Sequence, residues 1–313
     1  MRAAIIANPG AGALKRKPKL VEALQETCRE QDGVHWFSAQ TDAELQGATA
    51  AIAEASPSLI GILGGDGTAS VVLTDLHRGF AGRDLPTIAL LRGGTMNTVA
   101  NSLGISRRSP RRLLRRALST VETPHTSPVQ RRRVLDVGGR LGFLFGTGVM
   151  YGFLAEYYDA GHGDPTPRTA LKVFTRCVAS SLVQGSTYKR ILNAESMTVA
   201  HEGGTWEAET YITVGAGSVA QVGLGFTPFA RCEQSPDRFH LLAVNGRPRD
   251  IARDLPRVWL GRGMRPETAH EATTGWAELR APAPFGYFVD GDLLNGSSTL
   301  RIAAGPALNL LCI

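Results

Sequence analysis

Leu59-Ile60-Gly61-Ile62-Leu63-Gly64-Gly65-Asp66-Gly67-Thr68 sets the reading of the first third of the chain. Five residues without a polar side chain make a strand buried on both faces, the pattern of a parallel sheet covered by helices. Glycines follow at once, and helical spacing then runs to about Leu76. Glycine admits positive φ and lets backbone N–H groups come close to a ligand. A helix N-terminus adds unpaired N–H groups and partial positive charge. The turn therefore has the composition of an anion site. Asp66 stands against that logic, because a carboxylate repels phosphate. Its place among glycines implies a cation bridging the two anions, most naturally Mg2+.

Outward from this stretch the same alternation recurs. Ala3–Ala7 reads as a strand ending in Asn8-Pro9-Gly10-Ala11-Gly12, and Lys17–Gln31 as a helix with Leu20, Leu24 and Cys28 four apart. His35–Ala39 is a second strand, and Thr41 or Asp42 caps a helix through Ala55. Thr87–Leu91 is a buried strand ending in Arg92-Gly93-Gly94-Thr95-Met96-Asn97, with a helix through Leu103. Ser109-Pro110 opens a further helix. Three glycine-bearing turns thus follow the first, third and fourth strands, at the edge where a parallel sheet presents ligands. Neither GxxxxGK[ST] nor a GxGxxG after the first strand is present.

Past about residue 125 the texture changes. Thr123–Pro128 has linker composition. Beyond it come short β segments separated by Gly, Asn and Asp: Arg133–Val137, Gly142–Phe145, Tyr188–Leu192, Met197–His201, Ala208–Val214, Phe239–Val244, Ala277–Ala281, Tyr287–Val289 and Leu300–Ala303. These predict an antiparallel sandwich. Helices over about Arg168–Val183 and Ile251–Leu260 interrupt it.

Composition narrows the classes. A chain of 313 residues with 43% hydrophobic and 20% charged content has room for two globular domains. No apolar run reaches the about 18 residues a membrane span needs, and Met1–Ala7 is too short for the core of a signal peptide. The expectation is a cytoplasmic protein. Cys28, Cys177, Cys232 and Cys312 are far apart, which argues against a zinc cluster or a disulfide framework.

The net charge of +6 is concentrated: Arg107–Arg133 holds nine arginines against one acid, Glu122. Arg108, Arg112 and Arg116 are four apart, as are Arg111 and Arg115, so on a helix from Pro110 they form a stripe with Leu114, Ala117 and Leu118 inward. Such a stripe suits a solvated face or anionic headgroups at a membrane surface. No aromatic residues interleave with it, which disfavours nucleic acid.

Taken together, Asn8-Pro9-x-x-Gly12, Gly64-Gly65-Asp66-Gly67-Thr68 and Gly94-Thr95-Met96-Asn97 resemble the signature blocks of the diacylglycerol kinase catalytic-domain family. That family includes soluble bacterial diacylglycerol kinases, sphingosine kinases and ceramide kinases. Val289-Asp290-Gly291-Asp292 resembles its late Asp-Gly-Glu block, so the likeness runs over essentially the whole chain. The resemblance implies an α/β N-terminal domain with a parallel sheet over residues 1–125, to which about 304–313 return. It implies a mainly antiparallel β-sandwich over 126–303, which would take the lipid acceptor, and a nucleotide cleft between the two. ATP would be lined by Asn8, Pro9, Gly10, Gly12, Gly64, Gly65, Gly67, Thr68, Gly94, Thr95 and Asn97, with Thr41 a further candidate and Asp66 acting through Mg2+. The implied activity is ATP-dependent phosphorylation of a lipid hydroxyl of diacylglycerol or sphingoid type, in a protein that is cytoplasmic or peripheral on the inner membrane face.

Phosphoryl transfer also wants a carboxylate near the acceptor. Asp290 and Asp292 flank a glycine, so in an extended segment both would point to one face. Asp290 is then the expected base and Asp292 its partner, with Asp66 an alternative; Asp-Gly is also a common hairpin pair. Phe143–Tyr158, rich in Phe, Leu, Met and Tyr, is the candidate wall of a lipid pocket or ordinary core.

Three positions depart from the family pattern. Asp292 replaces a glutamate, and Val71 stands where a glutamate is common. Asp237-Arg238-Phe239 keeps the aspartate but not the glycine of a turn that helps hold a structural Mg2+ in bacterial members. Two other readings follow. One is a soluble-nucleotide kinase like NAD kinases, whose Asn-Asn-Glu/Asp block is missing here. The other is a non-catalytic lipid or nucleotide sensor of the same fold.

Overall fold

The computed structural model describes residues 1–123, 127–161, 166–183 and 195–313. The chain divides into two units, Met1–Arg132 with Ala307–Ile313, and Arg133–Pro306.

The first unit runs β1 (Ala3–Ala7), α1 (Gly12–Lys15), α2 (Pro18–Arg29), β2 (Val34–Ser38), α3 (Asp42–Ala55), β3 (Leu59–Leu63), α4 (Asp66–Phe80), β4 (Thr87–Leu90), α5 (Thr98–Ser102) and α6 (Pro110–Glu122). Its strands lie in the order β2-β1-β3-β4, all parallel. Ala3–Ala7 are fully buried and Leu59–Leu63 nearly so, which is why both strands read as unbroken apolar runs rather than alternating ones. Thr41 caps α3 in a reciprocal box: its hydroxyl accepts from Glu44 N, and the Glu44 carboxylate accepts from Thr41 N. On α6, Leu113, Leu114, Ala117 and Leu118 are buried, while Arg111, Arg112, Arg115 and Arg116 on the helix and Arg108 just before it are exposed. Each such leucine contributes about 1.5–3 kcal/mol of burial. Burial also pushes the Cys28 thiol up to about 12, so it behaves as an apolar core residue.

The second unit holds β5 (Val129–Val137, whose first residues belong to the first unit), β6 (Arg140–Gly142), β7 (Leu144–Thr147), α7 (Gly148–Ala160), α8 (Pro167–Val183), β8 (Glu195–His201), β9 (Gly204–Tyr211) and β10 (Thr213–Gly217). It continues with β11 (Phe239–Val244), α9 (Pro248–Trp259), β12 (Ala269–Thr274), β13 (Trp276–Arg280), β14 (Gly286–Val289) and β15 (Asp292–Asn295). β16 (Thr299–Leu311) starts in this unit, pairing antiparallel with β13, and ends in the first unit beside β4 at Leu310–Ile88. One antiparallel sheet has the order β12-β11-β10-β7-β14-β15; facing it lie β13, β8 and β9 with the start of β16. Leu135, Val199, Leu279 and Ile302 from one layer meet Phe145, Val214, Phe239, Leu241 and Val289 from the other in a single core. The sandwich expected from the turn spacing is therefore present.

Local readings need correction. Ala208–Val214 is not one strand: β9 ends at Tyr211, the chain turns at Ile212, and β10 enters the other sheet. The helix after the fourth strand is confined to Thr98–Ser102. β5 begins at Val129, directly after the expected linker and ahead of Arg133, where the strand was expected to start. The expected strand Tyr188–Leu192 lies outside the described residues, as does Pro124–Thr126 of the linker. Among the described residues no helix is long and apolar enough to cross a membrane.

Candidate functional site

In the first unit the three glycine-bearing turns meet. Asn8, at the end of β1, donates from Nδ2 to Thr68 Oγ1 at 3.2 Å and accepts from Gly10 N at 2.9 Å. One side chain thus shapes its own loop and ties it to the first turn of α4. Gly94 lies so close to Gly65 that a Cβ on it would sit 2.4 Å from Gly65 Cα, so no other residue fits without parting the loops. Asn97 closes the third turn by accepting from Gly94 N at 3.1 Å and donating to Gly94 O at 2.7 Å, from the left-handed φ of +48° that asparagine tolerates. Thr95 is half-exposed in the middle of that turn.

Asp66 is the first residue of α4 and caps α5: its carboxylate accepts from Thr98 N at 2.8 Å and Val99 N at 3.2 Å. It is partly exposed at its edge, but the protein around it desolvates the carboxyl and pushes it up, while the Thr98 and Val99 amides and the Arg92 guanidinium pull it down. The residue read as a cation holder thus also fastens the second turn to the third. Its oxygens accept these two amides, and the Thr98 side chain also hydrogen-bonds the carboxyl. A single carboxylate of this kind fits Mg2+ shared with phosphate oxygens and waters; among the described residues no cluster of three acidic, His or Cys side chains would make a protein-only cage. The first-turn N–H groups of α4, on Asp66, Gly67 and Thr68, have no partners within the helix, as at any helix start. A cavity of about 480 Å³ opens beside Pro9 and Gly10, lined also by Leu14, Lys15, Glu22 and Gln40. Thr41, next to Gln40, is occupied as the cap of α3.

Arg92 went unremarked in the sequence. It sits at φ +56° and spends its guanidinium on Ile105 O at 3.1 Å and Asn101 Oδ1 at 2.6 Å, while Asn101 Nδ2 holds Met96 O at 3.1 Å. It props up the third turn from behind. Its position directly before Gly93-Gly94 was the signal.

In the second unit Asp290-Gly291 is not extended. It forms the two-residue turn between β14 and β15, with Val289 opposite Asp292 and positive φ at both turn residues, +48° and +102°. That is the backbone Asp-Gly favours in a tight hairpin, and it removes the expectation that both carboxylates share one face. Asp290 turns back and is 3% exposed; its oxygens accept from Phe143 N at 2.9 and 3.0 Å and from Leu144 N at 2.8 Å. Gly142 makes room, since a Cβ there would sit 3.0 Å from Asp290 Oδ2 and 2.3 Å from Val289 Cγ1. Asp292 is 41% exposed at its side chain and paired with Arg140. Tyr158 of α7 donates to Gly291 O at 2.9 Å and holds the turn from the other side. Arg140 and Tyr158 could be found only by folding the chain. Asp237 is exposed and paired with Arg133 at 2.8 Å.

Residues 2–129 match the diacylglycerol kinase catalytic domain. The resemblance drawn from the glycine turns holds over that span, which contains all three of them. No curated protein matches the chain. Three solved structures from Bacillus anthracis, of proteins assigned as diacylglycerol kinases, share its fold with TM-scores of 0.72, 0.67 and 0.65. Each is 14% identical, covering 100% of this chain and 97% of the other. The likeness thus extends through the antiparallel unit that the domain match leaves out.

Proposed function

We propose that the chain is a lipid kinase that moves the γ-phosphoryl group of ATP to a hydroxyl of a diacylglycerol- or sphingoid-type acceptor. The observation that carries this reading is the knot of three strand-end turns, joined by Asn8 to Thr68, by Asp66 to Thr98 and Val99, and by glycine against glycine. Helix-start N–H groups and the hydroxyls of Thr68 and Thr95 supply donors for a triphosphate. Asn8, Pro9, Gly10 and Gly12 border it, and the cavity at Pro9 and Lys15 suits the nucleoside end. Mg2+, held by Asp66 together with the phosphates, would neutralise charge on the transferring group.

In the transfer, the acceptor oxygen bonds to the γ-phosphorus as the bond to the β-phosphate oxygen breaks, and ADP leaves. The hydroxyl proton goes to a carboxylate. Asp292 suits this role because its side chain is exposed and would give up its ion pair to Arg140 to take the proton, whereas Asp290 is buried and accepts from two backbone amides. Asp290 then acts as the positioning residue of the hairpin. The acceptor reading draws support from α7, where Val149, Met150, Tyr151, Phe153 and Leu154 are only half-buried although the helix is largely apolar.

A second reading, a sensor of the same fold without catalysis, is favoured by the structural partners that both Asp66 and Asp292 already have. Incubation with γ-labelled ATP, Mg2+ and a panel of diacylglycerol, monoacylglycerol, sphingoid base, ceramide and phosphatidylglycerol decides between the two. A labelled lipid whose yield drops in Asp292→Asn supports the kinase. Bound ATP with no labelled lipid from any member of the panel supports the sensor.

A further inference from the structure

Among the described residues, three large hydrophobic side chains stand exposed on two packed helices of the second unit. Trp259 and Leu260, 57% and 58% exposed, are adjacent at the C-terminal end of α9, and Leu171, 55% exposed, lies on α8. Helix α8 packs against both α7 and α9, so the apolar helix read above as bordering the acceptor belongs to the same layer.

The end of α9 is a fixed platform rather than a frayed terminus. Thr227 donates from N and from Oγ1 to Val258 O, at 3.2 and 2.7 Å. Gly261, at φ +70°, reverses the chain and returns its N–H to Val258 O at 3.1 Å. Phe226, next to Thr227, packs against Phe174 of α8 with ring centroids 5.0 Å apart and the ring planes tilted by 43°. This order presents a tryptophan, with one indole edge against Gly225, and a leucine, each more than half exposed to solvent.

Charge decides what suits the surface. Between Ile251 and Pro266 the chain has four arginines and one acid, Asp254. Asp254 is fully buried and turned inward, accepting from Arg265 Nε at 2.6 Å and Thr268 Oγ1 at 2.8 Å. Arg253, Arg257 and Arg262 are exposed around the Trp–Leu pair. Tryptophan concentrates at the headgroup level of membranes, and arginines beside it draw anionic lipid. The α6 stripe has arginines without any exposed apolar side chain, so it offers attraction but nothing to insert.

We propose that the end of α9 seats the protein on an anionic bilayer, with Trp259 and Leu260 entering the headgroup layer and Arg253, Arg257 and Arg262 facing lipid phosphates. The inference deepens the lipid-kinase reading and rests on it for choosing a bilayer over a protein partner.

The test is co-sedimentation of the full chain, without nucleotide, with vesicles of phosphatidylcholine alone or mixed equally with phosphatidylglycerol. The wild type is expected to sediment with the mixed vesicles only. Trp259→Ala with Leu260→Ala should lower that partitioning about tenfold. Arg257→Glu with Arg262→Glu should abolish the preference for anionic vesicles. All three proteins should melt alike, since the altered side chains are exposed. Variants that sediment like the wild type would overturn the proposal. So would a wild-type dimer that the Trp259/Leu260 variant converts to monomer, because the patch would then belong to a second copy. Phosphotransfer to an acceptor dispersed in detergent reports the kinase reading separately. Anionic vesicle binding that the variants lose, in a protein with no transfer activity, upholds the docking face and removes the kinase.

Discussion

The two regions that carry the candidate chemistry are built by opposite means. In the first unit the site depends on missing side chains: Gly93 and Gly94 bring the third turn so close to Gly64 and Gly65 of the second that a methyl group on either would collide with backbone. In the second unit it depends on a side chain that is present and buried, Asp290, whose charge gathers the amides of Phe143 and Leu144 under a hairpin. A phosphate site needs backbone donors at close range, which only glycine permits. A positioned carboxylate needs a rigid base, which a buried anion with amide donors provides. Substitutions should therefore fail differently in the two places, by steric exclusion in one and by loss of charge-assisted hydrogen bonds in the other.

The largest contrast is expected from Gly94→Ala. The added methyl forces the second and third turns apart, and calorimetry should find ATP binding lost while the second unit stays folded. Binding within a few-fold of the wild type would mean that the close approach is incidental. Next comes Asp66→Asn, which keeps one oxygen to accept an α5 amide but removes the charge. If Asp66 holds Mg2+, labelled-lipid formation should drop roughly 100-fold or more, as expected for losing electrostatic stabilisation of a transferring phosphoryl group. A drop in thermal stability with turnover intact would leave the cap as its only role.

Asp290→Asn probes the other region. It should cost about 2–3 kcal/mol in denaturant unfolding, because a charged acceptor is replaced and an amide NH2 is set against backbone donors. ATP affinity should be unaltered, since the change lies outside the glycine turns. The smallest effect is expected from Thr41→Ala, about 1 kcal/mol of stability from the lost cap of α3. A loss of ATP affinity beyond that would show that Thr41 also touches the nucleotide.

Legibility followed the same division. The parallel sheet was readable because β1 and β3 are buried on both faces and show no alternation. The α3 cap was readable to within one residue, Thr41 or Asp42, because both are N-cap residue types; the box with Glu44 settles it on Thr41. The three turns could be named, since glycine next to an apolar strand is a local signal. Their joining could not be read, because Asn8 to Thr68 and Asp66 to Thr98 are contacts across 60 and 32 residues. The Asp-Gly hairpin was legible as one of two options; only the fold shows that Asp290 turns inward, because its partners lie 146 and 147 residues away. Helix α7 was hidden for another reason: apolar around most of its circumference, it lacks the stripe that marks an ordinary surface helix. β12 escaped notice because His270, Glu271 and Thr273 give it a polar composition unlike that of a core strand.

On the proposed reading, the strand-end turns of the first unit bind a triphosphate through backbone donors and one metal-bearing carboxylate. Titration calorimetry of the full chain with ATP, in Mg2+ and again in excess chelator, tests it most directly. One site that tightens at least tenfold with Mg2+, and loses that gain in Asp66→Asn, is the result this account predicts. No heat of binding with Mg2+ present, or binding indifferent to both the metal and Asp66, would contradict it.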